Sequence, residues 1–320
     1  MSHVILQTAE SVAGLYLVGL LGFFLSATGF VGPEAKKLFP KLVTQVSLPP
    51  LLFASVVNSF TRSELGRLIY GSLVPALSIL TVFGLMLLYA RRPGANRKRR
   101  GTVSVGAATS NTIFIGLPVN VALFGESALP FVLLYFFANT TFFWTLGNYT
   151  LSLDGAKPAA NIRSDLIFKA LLSPPFLGFL TGIAFIVLGV KPPGFLMDSA
   201  RLVGGLTSPL ALLYIGMALS DSSLAALKPD LDLAMLLFGR FVLSPLAVYL
   251  LALALFPSAP PLMIKVFLIQ SSLPCAATLA LMAAYHGSDA SFGGVAVSLS
   301  TVLSLLVIPC FMMVFTVLGL

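Results

Sequence analysis

The stretch TSNTIFIGLPVNVALFG, Thr109 to Gly125, is apolar enough to lie in a membrane, yet Gly116 and Pro118 interrupt it. Asn111, Thr112 and Asn120 add hydrogen-bonding side chains within a few residues of that interruption. A proline inside a helix removes one backbone donor and drives its ring against the carbonyl four residues back, here that of Phe114. Lipid offers no replacement partner, so such backbone is tolerated only against protein or a water-filled cavity. Whether this is a kinked span or half of a binding site depends on the rest of the chain.

The rest is membrane-like. Of 320 residues, 58% are hydrophobic and 9% charged, with a mean hydropathy of +0.99; soluble domains carry about a quarter charged residues. Ten apolar stretches approach or exceed the about 20 residues that cross a bilayer: 12–31, 42–60, 68–90, 102–124, 129–153, 166–190, 202–220, 231–256, 262–285 and 292–320. The first does not read as a cleavable signal peptide, because residues 1–11 hold Glu10 and His3 but no Lys or Arg.

The net charge of +8 would suit a nucleic-acid binder, but the basic residues sit in short loops between apolar runs. Placed there they are an orientation signal, and no nucleic-acid partner is expected. Thirteen of the nineteen fall in odd-numbered loops, including Lys36, Lys37, Lys41 and the run from Arg91 to Arg100. Odd loops are then cytoplasmic, both termini lie outside, and the bacterial inner (plasma) membrane is the expected location. Cys275 and Cys310 fall inside apolar runs and read as buried free thiols, with no disulfide or metal.

A repeat is visible. LVTQVSLPPLLF (Leu42 to Phe53) aligns with LVGGLTSPLALL (Leu202 to Leu213), LVPALSIL (Leu73 to Leu80) with LSPLAVYL (Leu243 to Leu250), and IGLPV (Ile115 to Val119) with SSLPC (Ser271 to Cys275). Three matches in one order suggest two halves of five spans, 1–155 and 160–320. Five is odd, so the second half enters from the opposite side, the inverted repeat of secondary transporters.

The interruption at Pro118 therefore has a counterpart at Pro274, which frees the carbonyl of Gln270. Paired breaks in corresponding spans mark a binding site. Half-helices starting at these prolines would offer the N–H groups of Val119, Asn120, Cys275 and Ala276 to an anion. The candidate substrate-binding set is Asn111, Thr112, Gly116, Pro118, Asn120, Gln270, Ser271, Ser272, Pro274 and Cys275. Pro49, Pro75, Pro209 and Pro245 read as kinks.

NTIFIGLPVNVALFG and LIQSSLPCAATLALMAAYHG, with SLPPLLF and SPLALLYIGMAL, resemble the auxin efflux carrier family, which includes PIN-like exporters and bacterial dicarboxylate permeases. The resemblance implies an all-α fold of ten transmembrane helices in two inverted repeats, with broken helices four and nine crossing. It also implies a scaffold of helices 1, 2, 6 and 7, a transport part of helices 3–5 and 8–10, and a homodimer through helices 2 and 7. A small organic anion would be carried by alternating access, its carboxylate at the crossover near Asn111, Pro118 and Pro274. Bile-acid sodium symporters share the architecture, so a sodium-coupled symporter is the alternative, with a channel or sensor behind it. The long cytoplasmic loop of many plant members is absent; 154–164 stands in its place.

Asn139, Thr140 and Gln270 could hold a coupling ion. No acidic residue lies mid-span, while oxygens crowd the crossover, so sodium coupling or passive uniport is expected over proton coupling, with no organic cofactor. Gln45, Ser47 and Asn58 read as links between helices, Trp144 as a packing or lipid-facing residue, and His286 as a helix-end residue. Arg240 is the basic residue inside a span and so a functional candidate, placed to contact a substrate, to snorkel, or to pair with Asp232 two turns earlier. No Ser–His elbow, paired mid-span aspartates or metal-ligand cluster appears, so the chain is not read as an enzyme.

Overall fold

The computed structural model describes residues 2–63, 65, 70–155, 172–220 and 230–318. Arg67, Lys157, Arg163, Lys169 and Lys228, the side chain of Glu10, and the starts of the third and sixth apolar stretches at Leu68 and Leu166 lie outside the described residues.

Long apolar runs without strand punctuation fold as helices, and among the described residues there is no strand. In the first half the helices are α1 (Ser2–Ala27), α2 (Pro33–Ser59), α3 (Leu73–Ala90), α4 (Arg100–Ala108), α5 (Thr112–Phe124) and α6 (Glu126–Ser152). The second half follows with α7 (Pro174–Leu188), α8 (Gly194–Ser220, with a turn at Gly205), α9 (Leu231–Leu255), α10 (Pro261–Ser271), α11 (Leu279–His286) and α12 (Ala290–Leu318). Among the described residues, six helices, α2, α3, α6, α8, α9 and α12, are long and apolar enough to cross a membrane. Shorter apolar helices stand at Gly14–Ala27, Thr112–Phe124, Pro174–Leu188 and Pro261–Ser271, so each of the ten apolar stretches overlaps one apolar helix.

Most prolines do not break these helices. Pro49 and Pro50 follow a wide turn at Leu42–Ser47, Pro118 follows one at Thr112–Gly116, and Pro245 follows one at Gly239–Leu243. An extra residue in the turn, with bonds reaching five residues back, moves the preceding carbonyl clear of the ring. The amide of Gly116, for instance, reaches the carbonyl of Asn111 at 3.0 Å. Pro118 therefore lies inside a continuous α5, and the expected half-helix beginning there is corrected.

The fourth stretch is broken seven residues earlier. Ala108 ends α4, and Thr109 is extended (φ −107°, ψ 141°) before Asn111 caps α5. The ninth stretch opens after Ser271, and residues 272–278 run without helix to α11.

The helices pack in two groups. α1 runs along the second half of α8, and α7 lies on α2. Gly216 makes the first contact possible, since a Cβ there would fall into the backbone of Gly19. The small face of SPLALLYIGMAL is thus used within the chain. The second group joins α3, α4, α6, α9 to α12, where α3 packs on α4 and α9, and α11 on α12. Residues of the main buried cluster come chiefly from this second group, Leu133, Phe267 and Leu279 among them.

Candidate functional site

The two breaks are bonded to each other. The amide of Asn111 donates to the carbonyl of Pro274 at 2.9 Å, and that of Ala276 donates to Thr109 at 3.3 Å, an antiparallel bridge centred on Ser110 and Cys275. Backbone groups that lost their helical partners find them in the opposite break, as burial demands. The amide of Cys275 donates to Ser300 Oγ of α12 at 3.1 Å. The N–H groups of Cys275 and Ala276, expected to be free for an anion, are therefore taken.

A side chain splints the first break from outside. Asn139 of α6 accepts from the Ser110 amide at 2.9 Å and donates to the Ser110 carbonyl at 3.1 Å. Each end of its amide makes one bond to the backbone of the first break. Asn111 caps α5 by accepting from Phe114 N at 3.2 Å.

Beside the crossover is a cavity of about 330 Å³. Asn111, Thr112, Asn139 and Thr140 line it, joined by Ser110 and by Ala276 to Thr278 of the second break. Its far wall belongs to the other helix group: Thr44, Gln45 and Leu48 of α2, and Ser173 to Pro175 at the start of α7. Phe114, Phe136, Phe143 and Trp144 supply its aromatic surface. Among the described lining residues none is charged.

The remaining expected site residues stand behind this wall. Gly116 is pressed against Gln270 and Leu273, which a Cβ would overlap. Gln270 reaches the Thr112 carbonyl at 3.4 Å, and Asn120 turns back to the Gly116 carbonyl at 2.7 Å. The hydroxyls of Ser271 and Ser272 bond their own helix, to Leu268 at 2.8 Å and to Ile269 at 3.0 Å. These residues, with Pro118, Pro274 and Cys275, build the crossover and do not face the cavity. Gln45 and Trp144, read from the sequence as glue and packing, do face it. A polar pair, Thr44–Gln45, inside an otherwise apolar span was the available signal for that wall.

Phe114 also meets Tyr214 of α8 in a tilted aromatic pair, ring centroids 5.2 Å apart. Tyr214 lines a second cavity, about 420 Å³, with Lys36, Lys37 and Lys41. The aromatic pair thus stands between a basic vestibule and the crossover cavity.

At the basic end of the bundle, charges tie the two halves together. Arg99 binds Asp230, and binds Asp289 at 2.6 Å. Burial alone would raise Asp289, but the Phe292 amide, Arg99 and Lys98 outweigh it and hold the carboxyl below the usual range. Asp154 accepts from the amides of Gly101 and Thr102, at 2.7 and 3.2 Å, at the start of α4. Its burial pushes the carboxyl up to about 6 despite those bonds. Asp232 pairs with Arg92 at 2.7 Å, which corrects the expected pairing with Arg240.

Comparison with known proteins gives the family. An uncharacterized transporter of Methanothermobacter thermautotrophicus is 27% identical over 313 residues, 96% of this chain and 98% of its own length. An uncharacterized transporter of Methanocaldococcus jannaschii is 24% identical over 90% of this chain and 92% of its own. A Rhizobium meliloti protein named "Putative malonate transporter" is 23% identical, covering 85% of this chain and 84% of its own. The family model described as membrane transport protein matches residues 7–312. The chain belongs to that family, to which the resemblance to auxin efflux carriers pointed, and it is an integral membrane transporter, not an enzyme.

Proposed function

We propose that this protein is a secondary carrier of small organic anions, working by alternating access at the crossover of its broken fourth and ninth spans. The observation that carries this reading is the mutual bonding of the two breaks beside a polar-floored cavity whose walls come from different helix groups. Helix ends held in mid-membrane supply partial charges for a substrate without exposing backbone to lipid. α1, α2, α7 and α8 would be the scaffold, and the remaining helices would move against it. The ten-span inverted repeat is part of this reading, supported by the antiparallel sense of the bridge.

The cavity wall at Thr44 lies one turn inside Lys41, on the side carrying the basic loops. With those loops cytoplasmic, the Phe114–Tyr214 pair stands between the cavity and the cytoplasm, and both termini are outside the plasma membrane. Malonate is a reasonable first substrate, since a relative carries that name. Sodium coupling or uniport is preferred over proton coupling because no acidic residue lines the cavity among those described. A homodimer through the second and seventh spans completes the proposal.

The test is transport in proteoliposomes of labelled malonate, malate and an indole acid under single imposed gradients of sodium, protons or potassium. Saturable flux of a carboxylate is expected. Unsaturable flux with single-channel currents would make the protein a channel, and binding without transport a sensor.

A further inference from the structure

An anion site walled by neutral residues lacks a countercharge, yet a positive group lies one layer behind it. Arg240, in the wide turn of α9, is 0% exposed and heads the fully buried side chains by volume. Its Nη2 donates to Ser244 Oγ at 2.6 Å and to the carbonyl of Ser271 at the end of α10. Its Nε and Nη1 have no partner, and among the described residues no carboxylate lies within ion-pair distance of it.

The intervening layer is polar. Buried Tyr135 of α6 directs its hydroxyl toward Arg240, Ser244 and Ser110, without completing a bond of good geometry to any of them. Cys275, bridged to Ser110, also lies within electrostatic reach of the guanidinium. Ser110 lines the cavity, and its own hydroxyl is unpartnered. An unpaired charge inside a membrane protein is costly, which makes one that is kept there a functional candidate. A low dielectric also carries its field farther than water would.

We propose that Arg240 is the fixed countercharge for the transported carboxylate, acting across the Ser110–Cys275 crossover without touching the substrate. It is a specificity residue: it makes the cavity prefer an acid to its uncharged amide. This rests on the reading of the cavity as an anion site.

The test uses the full chain in lipid nanodiscs and calorimetric binding of malonate, indole-3-acetate and their amides, to wild type, Arg240→Gln, Arg240→Lys and Ser244→Asp. The last variant keeps the arginine and its packing but sets a carboxylate beside it, so it stays decisive if Arg240→Gln fails to fold. Arg240→Gln and Ser244→Asp should each weaken acid binding on the order of ten- to thirtyfold while leaving the amide unchanged. Arg240→Lys should retain most of the acid affinity. Acid binding unchanged in Ser244→Asp overturns the countercharge and leaves the anion carrier standing. Equal losses for acid and amide also overturn it, since they mark a structural role. A wild type that binds neither acid overturns both readings.

Discussion

The Asn111 amide bonds the Pro274 carbonyl at 2.9 Å, across 163 positions of sequence and between two spans that each lose their helix at that point. Neither break is stable alone in a membrane, because each would leave donors and acceptors without water. Each break is therefore the other's solvent. Separating the two halves would leave those backbone groups buried without partners, so the pairing favours their moving together.

Asn139 extends that floor to α6. Asn139→Ala leaves the Ser110 amide buried without a partner, a cost of about 1–3 kcal/mol. The Ser110 carbonyl keeps its bond from the Thr112 amide, so the loss is confined to one group. Thermal unfolding in detergent should drop accordingly, and substrate affinity should fall because Ser110 loses its position. Unchanged stability would show that the splint adds nothing to the backbone pairing.

Gly116 faces Gln270 of α10 and Leu273 beyond it with no room for a side chain. Gly116→Ala puts a methyl group into the Gln270 amide and the Leu273 side chain, an overpacking cost of about 1–3 kcal/mol. Since the affected residues build the crossover, transport should fall more than expression. Uptake by Gly116→Ala at the wild-type rate would show that the two half-helices separate freely at this point.

The general region of the site was legible in the sequence, but its detail was not. Pro274 sits in the pairing and Pro118 seven residues after Asn111, which is why the breakers led to it. Pro118 itself is absorbed by one extra residue in the turn, a local adjustment that composition does not reveal. The true break at Ser110 is fixed by partners 29 and 165 positions away, Asn139 and Cys275, and no periodicity records such pairing. The same holds for the far wall: Gln45 looked like a link between helices until α2 was placed opposite α5.

Phe114 lines the crossover cavity and Tyr214 the basic vestibule, and their rings meet between the two. One ring rides on α5 and the other on α8, so movement between the helix groups would part them. Phe114→Ala should raise the rate of substrate entry from the side of Lys36, Lys37 and Lys41, and Tyr214→Ala should do the same. Stopped-flow binding to protein in nanodiscs measures this directly. Entry rates unaffected by both substitutions would place the gate elsewhere.

Asp154 gives the fold a pH dependence whose sign can be worked out. Its carboxyl is raised from 3.8 to about 6 by burial, against the opposing Gly101 and Thr102 amides, Ser288 and Arg100. The folded state therefore holds a proton between those values that the unfolded state has lost. This contribution is full below about pH 4 and disappears as pH rises through 6, an effect of about 2–3 kcal/mol. His286 works the other way, since its burial favours the neutral ring and acid destabilises it. The difference between wild type and Asp154→Asn isolates the carboxyl. On going from pH 7.5 to pH 5, wild type should gain thermal stability relative to Asp154→Asn. An identical pH response in the two proteins would mean that the backbone amides at the start of α4 hold Asp154 ionised throughout. The carboxylate would then be a permanent helix cap, not a proton-sensitive one.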